Sequence, residues 1–175
     1  MLNDTIVAIS TALSEAAISI VRLSGSDSIE IVNKMFTRDL TQIKSFSGAY
    51  GKIIDPVSKK VIDEAIINVY RGPKSYTCED IVEINCHGGV VVTKQVLGLC
   101  LGLGCRMAEN GEFTQRAFLN GRIDLSQAEA TLDMIEAPSV QASELAAKGI
   151  GGSVKKLVEP LMVHIMDIIA HIETN

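Results

Sequence analysis

Residues 112–130 read EFTQRAFLNGRIDLSQAEA, and this stretch divides the chain into two parts of different character. It holds two arginines, two aromatic side chains and a helix-start signal. The apolar pattern of the segment, which would serve only to form a core, does not explain these residues. Up to residue 120 the chain alternates strand-like and helix-like runs, whereas beyond that point the sequence is typical of helices. We therefore interpret the stretch both as a domain junction and as a functional segment.

The part before residue 120 predicts an α+β domain with a mixed β-sheet, because strands, helices and a hairpin follow one another. Runs of β-branched and apolar residues favour strands, and Ser26, Asp27 and Ser28 offer capping side chains for a helix. A turn-rich segment at 55–58 predicts the hairpin. The predicted strands are 5–9, 17–23, 50–54, 61–70, 81–85 and 106–108, and the predicted helices extend to about Phe36 and from Gly88-Gly89 to about Leu103.

The part from residue 121 onward predicts the first helices of an α-helical domain. Ser126 and Glu129 match a capping box, and a run rich in Ala, Glu and Leu follows as far as Lys148. Residues 149–152 contain three glycines that end this helix, and Ser153 begins another that continues to the last residues. The expected structure is a helical hairpin attached to the sheet domain.

The last predicted helix has an apolar stripe at helical spacing, which a helical hairpin cannot bury by itself. Because the sequence stops at Asn175 without a helix terminator, we expect the chain to be the front part of a longer protein. The stripe consists of Leu157, Leu161, Ile165, Ile168, Ile169 and Ile172.

Composition narrows the class of protein. The chain has 175 residues, 47% hydrophobic content and a net charge of −5, which is typical of a folded globular domain. Charged residues interrupt the longest apolar regions, so no membrane span is predicted. The start Met1-Leu2-Asn3-Asp4 lacks the features of a secretion signal, and we predict a cytoplasmic protein. The net negative charge does not favour direct binding of this part of the chain to the phosphate backbone of a nucleic acid.

Three patterns in the sequence resemble sites but lack the necessary spacing. The four cysteines, at 78, 86, 100 and 105, have no C-x-x-C arrangement and are predicted to be reduced, partly buried thiols. The glycine-bearing segments 97–104 and 149–152 match neither phosphate-binding pattern, so no nucleotide site is predicted. His164, Asp167 and His171 come from one helix only, and no metal site is predicted there.

Two charged residues in predicted strands are candidates for binding. Arg22 ends an apolar strand, where a cation must reach solvent or meet an anion, and a surface salt bridge is the alternative to a ligand. Glu83 lies within Ile81-Val82-Glu83-Ile84, and an ionised carboxylate in a buried strand is costly unless it is paired. Its partner is therefore expected to be an arginine or the N–H donors of a ligand.

A second set of binding candidates lies at the turn after the predicted strand 81–85 and in residues 112–130. His87 and Gly88 lie where a strand gives way to a helix, a place where backbone N–H groups hold anions, although the glycines could serve only the turn. Aromatic, guanidinium and amide groups together suit a flat heteroaromatic ligand, although a domain junction could also use them. These groups belong to Arg116, Phe118, Asn120 and Arg122.

Three stretches resemble signatures of the bacterial tRNA-modification GTPase family called MnmE or TrmE, and they occur in the order of that family. They are 18–25 (ISIVRLSG), 79–89 (EDIVEINCHGG) and 112–130. The resemblance implies a folate-binding domain like the glycine-cleavage T-protein, followed by a helical domain into which a Ras-like GTPase is inserted. On this basis 1–120 would be the folate-binding and dimerisation domain, and 121–175 the start of the helical domain.

The resemblance also implies a site and partners. Arg22, Glu83 and Arg122 would contact formyl-tetrahydrofolate or methylene-tetrahydrofolate and are expected to line one cleft, with His87, Gly88, Arg116, Phe118 and Asn120 as possible further contacts. No catalytic residue is implied here. The family forms homodimers and works with the flavoprotein MnmG on C5 of the wobble uridine of certain tRNAs. GTP, potassium and magnesium belong to the GTPase domain, so this chain is not expected to hydrolyse GTP.

The sequence departs from the family pattern at two places. Residues 12–16 read ALSEA where the family has Pro-x-Gly-x-Gly, and Asn110 replaces a proline before Gly111. The loop near Arg22 is therefore expected to differ in shape or charge. Two alternatives stay open at this point: a stand-alone folate-dependent aminomethyltransferase, and a dimerisation module that has lost folate binding.

Overall fold

The computed structural model describes residues 4–174, which form two compact units. The first unit ends at Asn120 and the second begins at Gly121. The first unit is built of strands and helices, and the second of helices, so the predicted α+β class is confirmed for the first part of the chain.

Within the described residues, the first unit contains a six-stranded mixed sheet in the order β3-β4-β5-β2-β1-β6. All neighbouring strands are antiparallel except β1 and β6, which are parallel. Each predicted strand is confirmed, although β3 begins three residues before the predicted start and β5 ends three residues after the predicted end. The strands are β1 (Ile6–Ile9), β2 (Ala16–Ser24), β3 (Ser47–Ile54), β4 (Val61–Tyr70), β5 (Ile81–Gly88) and β6 (Arg106–Met107).

Three helices accompany the sheet: α1 (Ser28–Asn33), α2 (Val90–Gly102) and α3 (Glu112–Leu119). Helices α1 and α2 contact one face of the sheet, where alternate strand residues are fully buried. Val21, Leu23, Val82 and Ile84 all point to this face and have 0% exposure. Because side chains alternate along a strand, Arg22 and Glu83 lie on the opposite face.

Helix α1 is shorter than predicted, and its expected side-chain caps are not formed. Asp27 is the N-cap residue but makes no side-chain cap bond, because its backbone is not extended and its N–H donates to the Thr5 hydroxyl. The helix ends at Asn33, whose side chain accepts the N–H of Leu40 at 2.8 Å. Phe36 instead forms a β-bridge with Ile53, which takes this segment out of the helix.

The second unit contains α4 (Leu125–Glu136), α5 (Val140–Ile150) and α6 (Ser153–Glu173). The prediction of one helix as far as Lys148 was wrong, because Pro138 lacks an N–H and disfavours helical backbone at Ala137. Ser139 then caps α5 through the N–H of Ala142. A Cβ at Gly149 would lie only 2.6 Å from the Cβ of Ala130, so the close approach of α4 and α5 depends on this glycine.

The capping box of α4 also differs from the prediction. Asp124, with extended backbone, accepts the N–H of Gln127 at 2.9 Å, and the Gln127 side chain accepts the N–H of Asp124 at 3.1 Å. The Ser126 hydroxyl donates to the same Asp124 carboxylate, so it supports this cap without being the N-cap residue. The predicted pair Ser126 and Glu129 has the correct spacing but begins two residues too late.

The predicted start of α6 at Ser153 is confirmed, and none of the described residues of this helix is buried. Its apolar stripe is therefore exposed: Leu157, Leu161, Ile165 and Ile172 are each more than half accessible. No helix in the described part of the chain is long and apolar enough to cross a membrane.

Candidate functional site

The candidate site is centred on an ion pair between Arg22 and Glu83. These residues are direct neighbours across β2 and β5, so the antiparallel register places both side chains on the face opposite α1 and α2. Nε and Nη2 of Arg22 donate to Oε1 of Glu83 at 2.9 and 2.8 Å. The side chains are 31% and 15% exposed, so the pair is partly desolvated and still accessible.

The second oxygen of Glu83 has a different partner. The Tyr70 hydroxyl donates to Oε2 at 3.1 Å, and Tyr70 lies diagonally across β4 and β5 on the same face of the sheet. Burial raises the pKa of Tyr70, and the negative charge of Glu83 raises it further. The phenol therefore stays protonated at neutral pH and acts as a hydrogen-bond donor to the carboxylate.

An aromatic ring from α3 completes the surroundings of Arg22. The guanidinium carbon lies 5.7 Å from the centroid of the Phe113 ring, a distance within the cation–π range. Gly111 is the N-cap residue of α3, and its left-handed backbone (φ 76°) suits a residue without a side chain. An anion, a cation and an aromatic face are thus brought together on one accessible surface.

Arg116, one turn beyond Phe113, has a different environment. It is 1% exposed and donates to Asp4 Oδ1 at 2.8 Å, to Glu112 Oε1 at 3.1 Å and to Glu79 at 3.2 and 3.3 Å. Ser24 links Glu79 to Thr77 through two further hydrogen bonds of 2.7 Å. This network connects α3 to β2 and to the loop before β5. The arrangement favours a structural role for Arg116 over direct contact with a ligand.

Glu112 is the most strongly perturbed carboxyl group in this network. Its side chain is 5% exposed and accepts from Arg106, Arg116 and the N–H of Glu109. Hydrogen bonds from Arg106, the largest cause, and then from the Glu109 N–H and Arg116 outweigh burial and lower its pKa from 4.5 to about 2. Glu112 is consequently ionised throughout the range in which the protein is expected to be folded.

This shift predicts a specific loss of stability in acid. Because the folded-state pKa of Glu112 is about 2 and its ordinary value is 4.5, its contribution is complete above pH 4.5 and is lost as the pH falls toward 2. We expect about 3 kcal/mol of the free energy of unfolding to disappear over this window. Urea unfolding at several pH values would measure it. In Glu112→Gln, the free energy of unfolding should depend less on pH between about 4.5 and 2. An equal pH dependence in the variant and the wild type would contradict the assignment.

The remaining predicted residues of the 112–130 stretch are distributed along the end of α3 and beyond it. Asn120 donates from Nδ2 to the carbonyl of Thr77 at 2.6 Å and follows the last residue of the helix. Phe118 is 42% exposed. Arg122 is exposed and belongs to the second unit, so its convergence with Arg22 and Glu83 stays a prediction.

His87 and Gly88 form the end of β5, on the same strand as Glu83. The His87 side chain is 72% exposed, and its Nδ1 lies 2.7 Å from Asp63 Oδ1. Its backbone N–H donates to the other oxygen of Asp63 at 2.8 Å. A Cβ at Gly88 would collide with the carbonyl oxygen of Ala16, so the glycine is required by the close approach of β2.

Two members of the cluster, Tyr70 and Phe113, were not predicted as binding candidates. Phe113 stands within the quoted 112–130 stretch, but its role depends on a short helix that was not predicted there. Tyr70 could be found only from the register of β4 against β5, which places it beside Glu83. Pairing between strands distant in sequence was the missing information.

The cysteines have the predicted buried character in three cases, and Cys78 is half-buried. Burial raises the pKa of the Cys105 thiol to about 11 and that of Cys100 further still. These thiols are therefore poor nucleophiles at neutral pH. Among the described residues, no group of His, Cys, Asp and Glu side chains is arranged to hold a metal ion.

Comparison with known proteins identifies relatives across the whole chain. Residues 5–122 match the family described as "GTP-binding protein TrmE N-terminus". The tRNA modification GTPase MnmE of Carboxydothermus hydrogenoformans is 50% identical over 100% of this chain and 39% of the relative. The proteins of the same name from Bacillus cytotoxicus and Lactobacillus acidophilus are 52% and 50% identical, over 98% of this chain and 38% of each relative. The chain spans about two fifths of the length of these curated relatives.

Proposed function

The chain belongs to the MnmE (TrmE) family of tRNA modification GTPases, and from this premise we propose that its first unit binds a reduced folate and forms a homodimer. The observation that carries the folate proposal is the accessible Arg22–Glu83 ion pair on the exposed face of the sheet. The ligand would be formyl-tetrahydrofolate or methylene-tetrahydrofolate. A similarity of this unit to the folate-binding domain of the glycine-cleavage T-protein forms part of the same proposal.

Charge and hydrogen bonding support a folate at this site. A pterin presents adjacent N–H donors, and an ionised carboxylate is a strong acceptor for them. Arg22 keeps the charge of Glu83 balanced, so a partly buried carboxylate is available without an unpaired negative charge. Phe113 adds an aromatic surface suited to a flat ring system.

The anionic glutamate tail of folate suits an arginine side chain. The family resemblance implies Arg122 as the third contact residue, and we assign the tail to it. Phe118, Asn120, His87 and Gly88 are possible further contacts.

Binding is tested by calorimetric titration of the chain with 5-formyl-tetrahydrofolate. The proposal predicts a saturable site with a stoichiometry of one ligand per chain. A flat titration at millimolar ligand would overturn it and would leave the interpretation of this unit as a dimerisation module that has lost folate binding.

The exposed face of the sheet also supports the dimerisation proposal. Three apolar or aromatic side chains, Ile18, Tyr50 and Ile66, are 50% to 60% exposed on β2, β3 and β4. Exposed apolar side chains grouped on one face are typical of interaction surfaces, and a two-fold interface would pair the part of this face that carries them with its own copy. Arg22 lies four residues from Ile18 along β2, outside this part. We propose that the sheet unit contributes most of the dimer contact.

Light scattering should therefore report a dimer for the whole chain and for a version ending at Asn120. Ile66→Lys, which places a charge in the proposed interface, is expected to shift the mass to that of a monomer. Val57→Lys is the matched control, because Val57 is 90% exposed in the turn between β3 and β4. A monomeric 1–120 version would show that the helices, and not the sheet unit, hold the pair together.

For the longer protein, we propose the function carried by the name of its relatives, tRNA modification. In that proposal the folate supplies a one-carbon unit, and MnmG is the partner with which C5 of the wobble uridine is modified. GTP, potassium and magnesium would act in a GTPase domain outside this chain, in the cytoplasm.

A further inference from the structure

The two oxygens of Glu83 are not equivalent. Oε1 accepts the Nε–H of Arg22 and lies 2.8 Å from Nη2 of the same guanidinium, whereas Oε2 accepts the hydroxyl of Tyr70. Both guanidinium nitrogens contact Oε1, so this oxygen is engaged by Arg22. A ligand with two adjacent N–H donors therefore has to compete with Arg22 if it is to use both carboxylate oxygens.

Tyr70 is positioned to supply the missing acceptor. Its O–H is directed at Oε2, so the lone pairs of the phenolic oxygen remain to accept hydrogen bonds. The phenolic oxygen and Oε2 lie 3.1 Å apart and form a pair of neighbouring acceptors on the exposed face. The Tyr70 ring is held by edge-to-face contact with Phe46, at a centroid distance of 5.5 Å and an interplanar angle of 80°.

We propose that Tyr70 is a specificity-determining residue of this site, whose phenolic oxygen acts with Oε2 of Glu83 to bind two adjacent N–H donors of the pterin. This inference rests on the proposed folate function. Ligands whose ring edge carries paired donors, such as a 2-amino-4-oxopyrimidine, are selected. Ligands without the 2-amino group lose one of the two bonds.

Three proteins and two ligands test the inference: wild type, Tyr70→Phe and Tyr76→Phe, each titrated with 5-formyl-tetrahydrofolate and with its 2-desamino analogue. Tyr70→Phe keeps the ring and its contact with Phe46 and removes only the hydroxyl. Tyr76→Phe is the matched control, because the Tyr76 hydroxyl also forms a side-chain hydrogen bond, with Thr114 Oγ1 at 3.0 Å. Thermal melting of each variant confirms that it is folded.

The expected result is a loss of about tenfold in the affinity of Tyr70→Phe for 5-formyl-tetrahydrofolate, corresponding to ~1.4 kcal/mol. The analogue should bind Tyr70→Phe and wild type about equally, so the discrimination between the two ligands falls by a similar factor. Tyr76→Phe should behave as wild type. An equal loss for both ligands would make Tyr70 a purely structural residue and overturn the inference, as would an unchanged affinity for 5-formyl-tetrahydrofolate.

The outcomes separate this inference from the proposal on which it rests. If Glu83→Gln weakens binding and Tyr70→Phe does not, the folate site stands and the role of Tyr70 is wrong. If the wild-type protein does not bind 5-formyl-tetrahydrofolate, both are wrong.

Discussion

Replacing Arg116 by methionine is expected to lower the free energy of unfolding by about 3–5 kcal/mol, the largest effect of any single change considered for this chain. Methionine fills similar space but leaves Glu112, 4% exposed, and Glu79 without their buried cation. Removing one partner of a buried ion pair costs more than the pair contributes, because the remaining carboxylates stay desolvated and lose the cation that balanced them. Urea unfolding at pH 7 measures the loss.

Arg106→Met provides the comparison for this prediction. Arg106 also contacts Asp4 and Glu112, but its side chain is 43% exposed, so solvent can replace much of what it contributes. Because Arg106 is also the largest cause of the lowered Glu112 pKa, its loss should cost about 1–2 kcal/mol, still less than the loss of Arg116. Equal losses for the two variants would contradict the structural role of Arg116. A stable Arg116→Met protein with weakened folate binding would instead restore Arg116 as a ligand contact.

Replacing Glu83 by alanine is expected to weaken the binding of 5-formyl-tetrahydrofolate by about 2 kcal/mol or more, equivalent to about 30-fold. Hydrogen bonds to a charged acceptor in a poorly solvated site are among the stronger ones, and Glu83 is only 15% exposed. Folding should survive, because Arg22 is 31% exposed and can be solvated after the change.

Glu64→Ala is the matched control for Glu83→Ala. Glu64 lies on the neighbouring strand and also accepts a tyrosine hydroxyl, but its side chain is 49% exposed. Calorimetric titration should give an unchanged dissociation constant for this variant. An unchanged dissociation constant for Glu83→Ala as well would mean that Glu83 serves only as the ion-pair partner of Arg22.

The sequence was sufficient to predict the strands, the α+β class and the need of Glu83 for a partner. Each of these depends on local pattern or on the energetic cost of a buried charge. The identity of the partner was not predictable, because it depends on the pairing of β2 with β5 across 61 positions of sequence. Arg22 and Tyr70 meet Glu83 only once that register exists.

The errors also have local physical causes. Helix α3 was missed because it is only eight residues long and buries Glu112 and Arg116 at positions where an amphipathic pattern requires apolar residues. The break at Pro138 was visible in the sequence, and the rule that proline ends a helix outweighs the helix propensity of the surrounding alanines. The capping box was placed two residues late because two overlapping pairs satisfied the same spacing.

The central claim is that the Arg22–Glu83 pair on the exposed face of the sheet is the folate site. A crystal structure of this chain with 5-formyl-tetrahydrofolate tests that claim most directly. We expect an N–H donor of the pterin to lie within hydrogen-bond distance of Oε2 of Glu83, with the ring near Phe113. A ligand bound elsewhere on the chain, with the Glu83 carboxylate making no contact to it, would contradict the account.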